Sequence, residues 1–385
     1  MQTTEAATGP MAAARSLHMV LTVNAAWNIW NFRKPLVQAL LDDGHRVTVL
    51  APHDETVPLL EGLGCTFVPL EMERKGLNPL SDLVLMRRFR NHFGELAPDL
   101  VLSFTIKNNL FGAMAARSAK IAFIPNVTGL GTAFLGGRWL QAVAEKLYRT
   151  AFRRLPLVFF QNADDRDLFV RRKLVKPAQA SLLPGSGIDL EQFAEAPFPC
   201  AGGPTRFLMI ARLIRDKGVF EYIEAARKLR TEGVAAEFHL LGPLGAENRT
   251  AIDAGQLREW QAEGIIEYHG TTEDVRPFIT DAHCVVLPSY REGAPRTLIE
   301  GAALGRPAVA SDVTGCNSVV EEGVTGLLCN VRDALDLAEK LRDFAALTRE
   351  AQAAMGGAAR SRMEREFSVD VVIQAYRDAI DTLGV

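Results

Sequence analysis

Leu183-Pro184-Gly185-Ser186-Gly187 is the stretch on which the fold turns. Proline, two glycines and a serine in five residues mark a chain crossing rather than a helix or strand. Upstream, short apolar runs predict strands at 19–23, 46–51, 65–68, 100–103, 121–125 and 157–161. Helical patterns at 32–42, 57–62, 80–95 and 109–119 separate them. Downstream the alternation restarts, with strands at 206–211, 237–241, 265–269, 284–288 and 308–311 and helices at 219–230, 275–282 and 295–304. Strands spaced by helices imply βαβ units and parallel sheets. The pattern therefore predicts an α/β chain of two Rossmann-like, doubly wound domains. They face each other across a cleft at the carboxyl ends of their strands.

The expected boundaries are a disordered tail at 1–17, a first domain at 18–185, a second at 186–366, and a C-terminal helical stretch at 367–385. That last helix, opened by Ser368 as a cap, is expected to return to the first domain. A length of 385 residues suits two domains, each able to bury its own core. With 48% hydrophobic and 23% charged residues, the composition is that of an ordinary globular protein. No apolar run approaches the roughly 18 residues that a membrane span requires. The run 19–26 is read as a strand rather than a signal peptide, because Asn28 and Asn31 follow too soon. Five scattered cysteines without C-x-x-C spacing give neither a disulfide framework nor a zinc site, and fit a cytoplasmic setting.

Charge is unevenly placed. Residues 1–185 carry 22 Lys and Arg against 15 Asp and Glu, while the remainder carry 21 against 31. A basic first half suits an anionic lipid surface or an anionic acceptor, or is simply an excess of solvated cations. No nucleic-acid partner is expected.

The chemistry concentrates in Tyr290-Arg291-Glu292-Gly293-Ala294-Pro295-Arg296-Thr297-Leu298-Ile299-Glu300. It follows a buried strand and opens a helix, with Pro295 suited to the first turn. Gly293 permits close backbone approach to a ligand, and free N–H groups at the helix start suit a diphosphate. Glu292 and Glu300 can face one cleft, where a carboxylate accepts hydrogen bonds from vicinal sugar hydroxyls. A capped surface helix with solvated glutamates would have the same local sequence. Ala211-Arg212-Leu213-Ile214-Arg215-Asp216-Lys217-Gly218 shifts the balance. Arg212 and Lys217 follow the first strand of the same domain, where two cations can neutralise a departing diphosphate.

These segments resemble glycosyltransferase family 4. Glu292 and Glu300 have the spacing of its Glu-x7-Glu motif, and 211–218 resembles its Arg…Lys-Gly phosphate loop. Residues 183–193 and 311–328 resemble its interdomain segment and its glycine-rich stretch. In the first half, 24–35, 75–79, 105–112 and 128–134 resemble a bacterial subgroup of capsular and lipid-linked-oligosaccharide transferases. One class in that subgroup adds N-acetylgalactosamine to undecaprenyl-diphosphate-linked bacillosamine.

The resemblance implies a GT-B fold and retaining transfer from a nucleotide sugar, commonly a UDP-sugar, to a lipid-diphosphate-linked saccharide. It implies no metal and no cofactor beyond that co-substrate. Glu300 would hold the ribose and Glu292 would lie near the donor sugar. Arg212 and Lys217 would hold the diphosphate. Gly293, Ala294, Pro295, Arg296, Thr297 and Gly270 would add donor contacts. On the acceptor side the candidates are Lys107, Asn109, Asn28 and Gly131. Many relatives carry a histidine in the loop where this chain has Phe104-Thr105-Ile106. Transfer to a soluble acceptor, a sugar-nucleotide epimerase and a non-catalytic nucleotide binder are the rival readings.

Other signals are set aside. Asp165-Arg166-Asp167 matches the Asp-x-Asp metal motif of another fold but reads as helix-start chemistry. Gly129-Leu130-Gly131 begins a dinucleotide fingerprint, but Phe134 occupies the third glycine position. The seven histidines show no ligand spacing. Residues 138–154 mix Trp139, Leu140, Val143, Leu147, Tyr148 and Phe152 with five cations. That helix either lies on the inner face of a membrane or packs on its own domain with a solvated basic face.

Overall fold

The computed structural model describes residues 15–73, 78–129, 138–200, 202–245 and 250–384. Gly131, residues 1–14 of the expected tail, and parts of 75–79 and 128–134 lie outside the described residues. Residues 15–17 do not behave as a tail. Leu17 is buried in a core, Ser16 donates to the Gly44 carbonyl at 2.6 Å, and Arg15 pairs with Asp99 at 3.1 Å.

The first sheet contains β1 (His18–Thr22), β2 (Arg46–Ala51), β3 (Thr66–Pro69), β4 (Leu100–Ser103), β5 (Ala122–Val127), β6 (Val158–Phe160) and β7 (Ala180–Leu182), in the order β3-β2-β1-β4-β5-β6-β7. The second contains β8 (Thr205–Ile210), β9 (Ala236–Leu241), β10 (Glu267–Tyr268), β11 (Cys284–Leu287), β12 (Ala308–Ser311) and β13 (Gly326–Cys329), in the order β10-β9-β8-β11-β12-β13. Every pairing is parallel. β1 and β4 are buried at every residue, as expected of strands covered on both faces by helices. In each sheet the order reverses once, between β1 and β4 and between β8 and β11. Loops leaving those strands diverge and leave a crevice at the carboxyl ends. The molecule is thus α/β with two Rossmann-like domains, the GT-B architecture.

Two elements differ from expectation for local reasons. The helix expected from residue 32 starts six residues earlier, spanning Ala26–Asp42 with Pro35 inside it. Ile29 and Arg33 on its early turns are buried, so packing carries the helix past the proline. The helix after β4 opens as a π-turn, Asn108–Gly112, all five residues buried.

The C-terminal helix Val369–Leu383 leaves the second domain and adds Val372, Tyr376, Ala379 and Ile380 to the first domain's core. Ser368 caps it, accepting from Val371 N at 3.3 Å. The linker passes tightly beneath it. A Cβ on Gly187, whose φ is +77°, would lie 2.6 Å from Val369 Cα. Only glycine fits both that approach and that backbone conformation.

Candidate active site

Both loops of interest leave the strands that flank the second domain's switch point. The Arg212–Gly218 loop follows β8, and the Tyr290–Pro295 loop follows β11, its hydrogen-bonded neighbour. They are stitched together. Tyr290 N donates to Asp216 O at 2.9 Å and Ser289 Oγ to the same carbonyl at 3.2 Å. This stitching carries Lys217 onto Glu292, with Nζ and Oε1 forming a short ion pair across 75 residues of sequence. Both side chains are largely buried, so the attraction is screened little by solvent. Arg212 is exposed, and among the described residues no ion pair or hydrogen bond engages its side chain.

The helix Arg296–Ala303 begins just beyond. Thr297 Oγ1 donates to the Ile210 carbonyl at 3.1 Å, fixing the helix start to the end of β8. Arg296 Nε donates to Glu300 Oε1 at 2.6 Å. Burial pushes the Glu300 carboxyl above its ordinary value, the Arg296 charge and hydrogen bond oppose this, and Asp274 adds to it. Glu300 lies in the wall of a cleft of about 1480 Å3, with Trp27, Trp30 and Lys34 from the first domain and Asp274 and Arg276 from the second. Gly270, φ +73°, follows β10 and accepts from Gly242 N at 2.7 Å. It stands three residues before the cleft-lining segment that starts at Glu273.

The motif loop is also clamped to the first domain. A Cβ added to Gly293 would run into the Thr128 carbonyl oxygen. The glycine expected to admit a ligand instead admits the backbone at the end of β5. Asn162 Nδ2 donates to Gly293 O at 3.1 Å, and Thr314 Oγ1 donates to Asp164 Oδ2 at 2.6 Å. Arg291 and Asp165 form an ion pair in which Asp165 is 1% exposed. Burial raises the Asp165 carboxyl, and Arg291 and Asn162 pull it back. Asp165 sits in the first turn of helix Ala163–Arg171, capped by Asn162. The Asp-x-Asp sequence is therefore helix-start chemistry with an interdomain ion pair added to it.

On the first domain the candidates part company. Asn28 lines a smaller cavity of about 190 Å3 between the domains, with Phe32, Arg33, Thr128, Gln161, Ala294 and Arg296. Lys107 pairs with Asp82 at 2.9 Å, so its charge is engaged within the first domain. Asn109 must be withdrawn as a cleft residue. It is buried in the π-turn and its amide donates to the Asn126 carbonyl at 2.8 Å. A buried amide bonded to backbone orders the loop and does not face an acceptor.

Sequence reading missed the roles of Asp165, Arg291, Asn162 and Arg33, which depend on domain docking. It also missed a histidine pair. β9–β10 pairing brings His239, Glu267 and His269 together, with ligand-type atoms within 4.8 Å. His239 Nδ1 and His269 Nε2 are 3.0 Å apart with ring centroids 5.2 Å apart and planes at 15°. A hydrogen bond thus joins the two rings.

With this geometry in place, comparison with known proteins is decisive. A model described as glycosyl transferase 4-like domain matches residues 29–185, and one described as glycosyl transferases group 1 matches residues 204–346. The chain is a family 4 glycosyltransferase. It is 29% identical to the N,N'-diacetylbacillosaminyl-diphospho-undecaprenol alpha-1,3-N-acetylgalactosaminyltransferase of Campylobacter jejuni, over 83% of this chain and 86% of that one. A UDP-Gal:alpha-D-GlcNAc-diphosphoundecaprenol alpha-1,3-galactosyltransferase of Escherichia coli is 23% identical over 70% of each. Among solved structures, a glycosyltransferase from Rickettsia africae superposes with a TM-score of 0.77 at 16% identity, covering 94% of this chain and 97% of that one, which speaks to the fold.

Proposed function

We propose that this glycosyltransferase moves a sugar, with retention of anomeric configuration, from a UDP-sugar to a lipid-diphosphate-linked saccharide in polysaccharide or glycan assembly. The observation that carries the reading is the joining of Lys217 to Glu292 at the switch point, one helix start away from Glu300 in the cleft. The two relatives named above act, by their names, on diphospho-undecaprenol-linked sugars, and one of them takes UDP-Gal.

Breaking the anomeric bond builds positive charge on the sugar and negative charge on the leaving diphosphate. Arg212 and Lys217 stabilise the latter, already in place before reaction. In the unliganded site Glu292 neutralises Lys217. An arriving diphosphate competes for that ammonium and frees the Glu292 carboxylate for the donor sugar. Glu300 accepts from the ribose hydroxyls, and backbone at Gly293, Ala294, Arg296 and Thr297, with Gly270 beyond, completes the donor side. The acceptor attacks on the face the diphosphate leaves, whose oxygen takes the acceptor proton. No metal and no cofactor beyond the nucleotide sugar enters these steps.

No described helix is long and apolar enough to cross a membrane. The lipid-linked acceptor would be reached by peripheral contact at the inner face of the cytoplasmic membrane. Helix Arg138–Phe152 suits this contact. It buries Tyr148, Ala151 and Phe152 against its own domain and leaves Trp139 77% exposed. Apolar side chains beside Lys146 and Arg149 fit an anionic bilayer surface.

Incubation with radiolabelled UDP-sugars, with and without a lipid-diphosphate saccharide, tests the reading. Label should move to lipid only when acceptor is present. Conversion of the donor alone would mark an epimerase, and binding without turnover a non-catalytic protein.

A further inference from the structure

Among the described residues two arginines are buried, Arg33 and Arg306, and their surroundings differ. Arg306 donates from its two terminal nitrogens to the carbonyls of Ala196, Leu304, Gly305, Pro197 and Thr280, and only its Nε lacks a partner. Arg33 is 5% exposed, and the one hydrogen bond of its side chain among the described residues is a short contact to Asn28 Oδ1. No described carboxylate pairs with it. Its guanidinium lies 4.0 Å from the centroid of the Phe104 ring, which offsets part of the lost hydration. Its pKa is lowered to about 10, chiefly by burial, with nearby Tyr376 opposing the shift and the Arg296 charge adding to it. A buried cation without a counter-ion is costly, and native structures seldom carry one without a use.

Arg33 faces the cavity of about 190 Å3 between the domains. Arg296 lines the same cavity from the second domain, with its Nε held by Glu300. Asn28, Gln161, Thr128 and Ser186 supply the remaining polar lining. Two cations of like sign thus share one small polar space.

We propose that Arg33 and Arg296 form a phosphoryl-binding subsite in this cavity, one cation from each domain. It is distinct from the Arg212–Lys217 loop. A phosphate oxygen there would accept from the guanidinium N–H groups that Arg33 leaves unused, and guanidinium geometry suits two such bonds at once. The proposal rests on the sugar-transfer reading only for the source of the phosphate, which is either the donor diphosphate or the acceptor diphosphate.

Calorimetric titration of the full chain with inorganic pyrophosphate, UDP and geranyl diphosphate tests it, using wild type, Arg33→Met and Arg33→Lys. The expected result is a loss of roughly tenfold or more in affinity for at least one probe in Arg33→Met. The melting temperature of the unliganded variant should be unchanged or higher, since an uncompensated charge has been removed. A loss confined to UDP assigns the donor phosphate, and one confined to geranyl diphosphate assigns the acceptor. If Arg33→Met loses both stability and affinity, Arg33→Lys decides. Affinity partly restored by the lysine supports the subsite, and none restored overturns it. Arg33→Met affinities within twofold of wild type for all three probes, or no binding of any probe by wild type, would also overturn it. Failure of sugar transfer with an Arg33-dependent pyrophosphate response would sink the functional reading and leave the subsite standing.

Discussion

Asp165 of the first domain and Arg291 of the second form an ion pair immediately beside Glu292. Their partners in sequence, Asn162 and Gly293, are joined too, at 3.1 Å. The donor loop is therefore shaped by both domains.

Asp165→Asn keeps the helix cap, because the capping bond is donated by the Asp165 backbone N–H to Asn162 Oδ1 at 2.8 Å. It removes the charge that holds Arg291. Arg291 is one-third exposed, so the loss is expected at about 1–2 kcal/mol, well below that of a fully buried pair. That corresponds to roughly a tenfold fall in kcat/KM. Steady-state kinetics and small-angle scattering check it, the latter expected to report a more open average shape.

Gly293→Ala places a methyl group against the Thr128 carbonyl oxygen. The loop must withdraw or the domains must part. Activity is expected to fall by about 100-fold from displacement of the reacting groups. Circular dichroism should stay close to wild type, because the clash lies between domains and spares both cores.

The Glu300 carboxyl is raised above its ordinary value of 4.5 by burial. The ionised form is the acceptor that ribose hydroxyls need, so nucleotide affinity should fall as pH drops, beginning above the ordinary glutamate range. For stability the sign is opposite. A carboxyl raised in the folded state favours folding below 4.5, and this is lost as pH rises through the raised value. Glu300→Gln should flatten the acid limb of UDP affinity measured by calorimetry. It should also raise the melting temperature at neutral pH relative to wild type.

Much of this was legible in the sequence, for definite reasons. β1, β4, β8 and β11 are short apolar runs between helical patterns, and burial on both faces leaves that signature. Lys217 and Glu292 were each expected in the cleft, because each follows a strand at its carboxyl end. Their direct pairing needs the Tyr290–Asp216 stitch, which no pattern announces. Asp165 and Arg291 are 126 residues apart and meet only through domain docking. Asn109 is an acceptor-side candidate only through the resemblance of 105–112, and the π-turn that buries it has no periodicity of its own to warn against it. Arg33 falls within the 32–42 helical pattern, where nothing in the sequence sets it apart. Its burial without a carboxylate partner is visible only in the folded chain.

Helix Arg138–Phe152 leaves Trp139 exposed, and helix Pro79–Leu96 exposes Leu80 and Leu83. In flotation with anionic vesicles the protein should rise with lipid at low salt and less at about 0.5 M, where charge screening is strong. Trp139→Ala should weaken flotation at both salts without lowering the turnover of a soluble acceptor analogue. No flotation at low salt would remove the membrane contact from the account.

The central claim, same-face transfer at the Glu292–Glu300 site, is tested most directly by the anomeric configuration of the product. Carbon-13 NMR of the disaccharide formed from an α-linked, C1-labelled UDP-sugar reads it from the one-bond C1–H1 coupling. An α-linked product is predicted, and a β-linked product would contradict the mechanism proposed for this site.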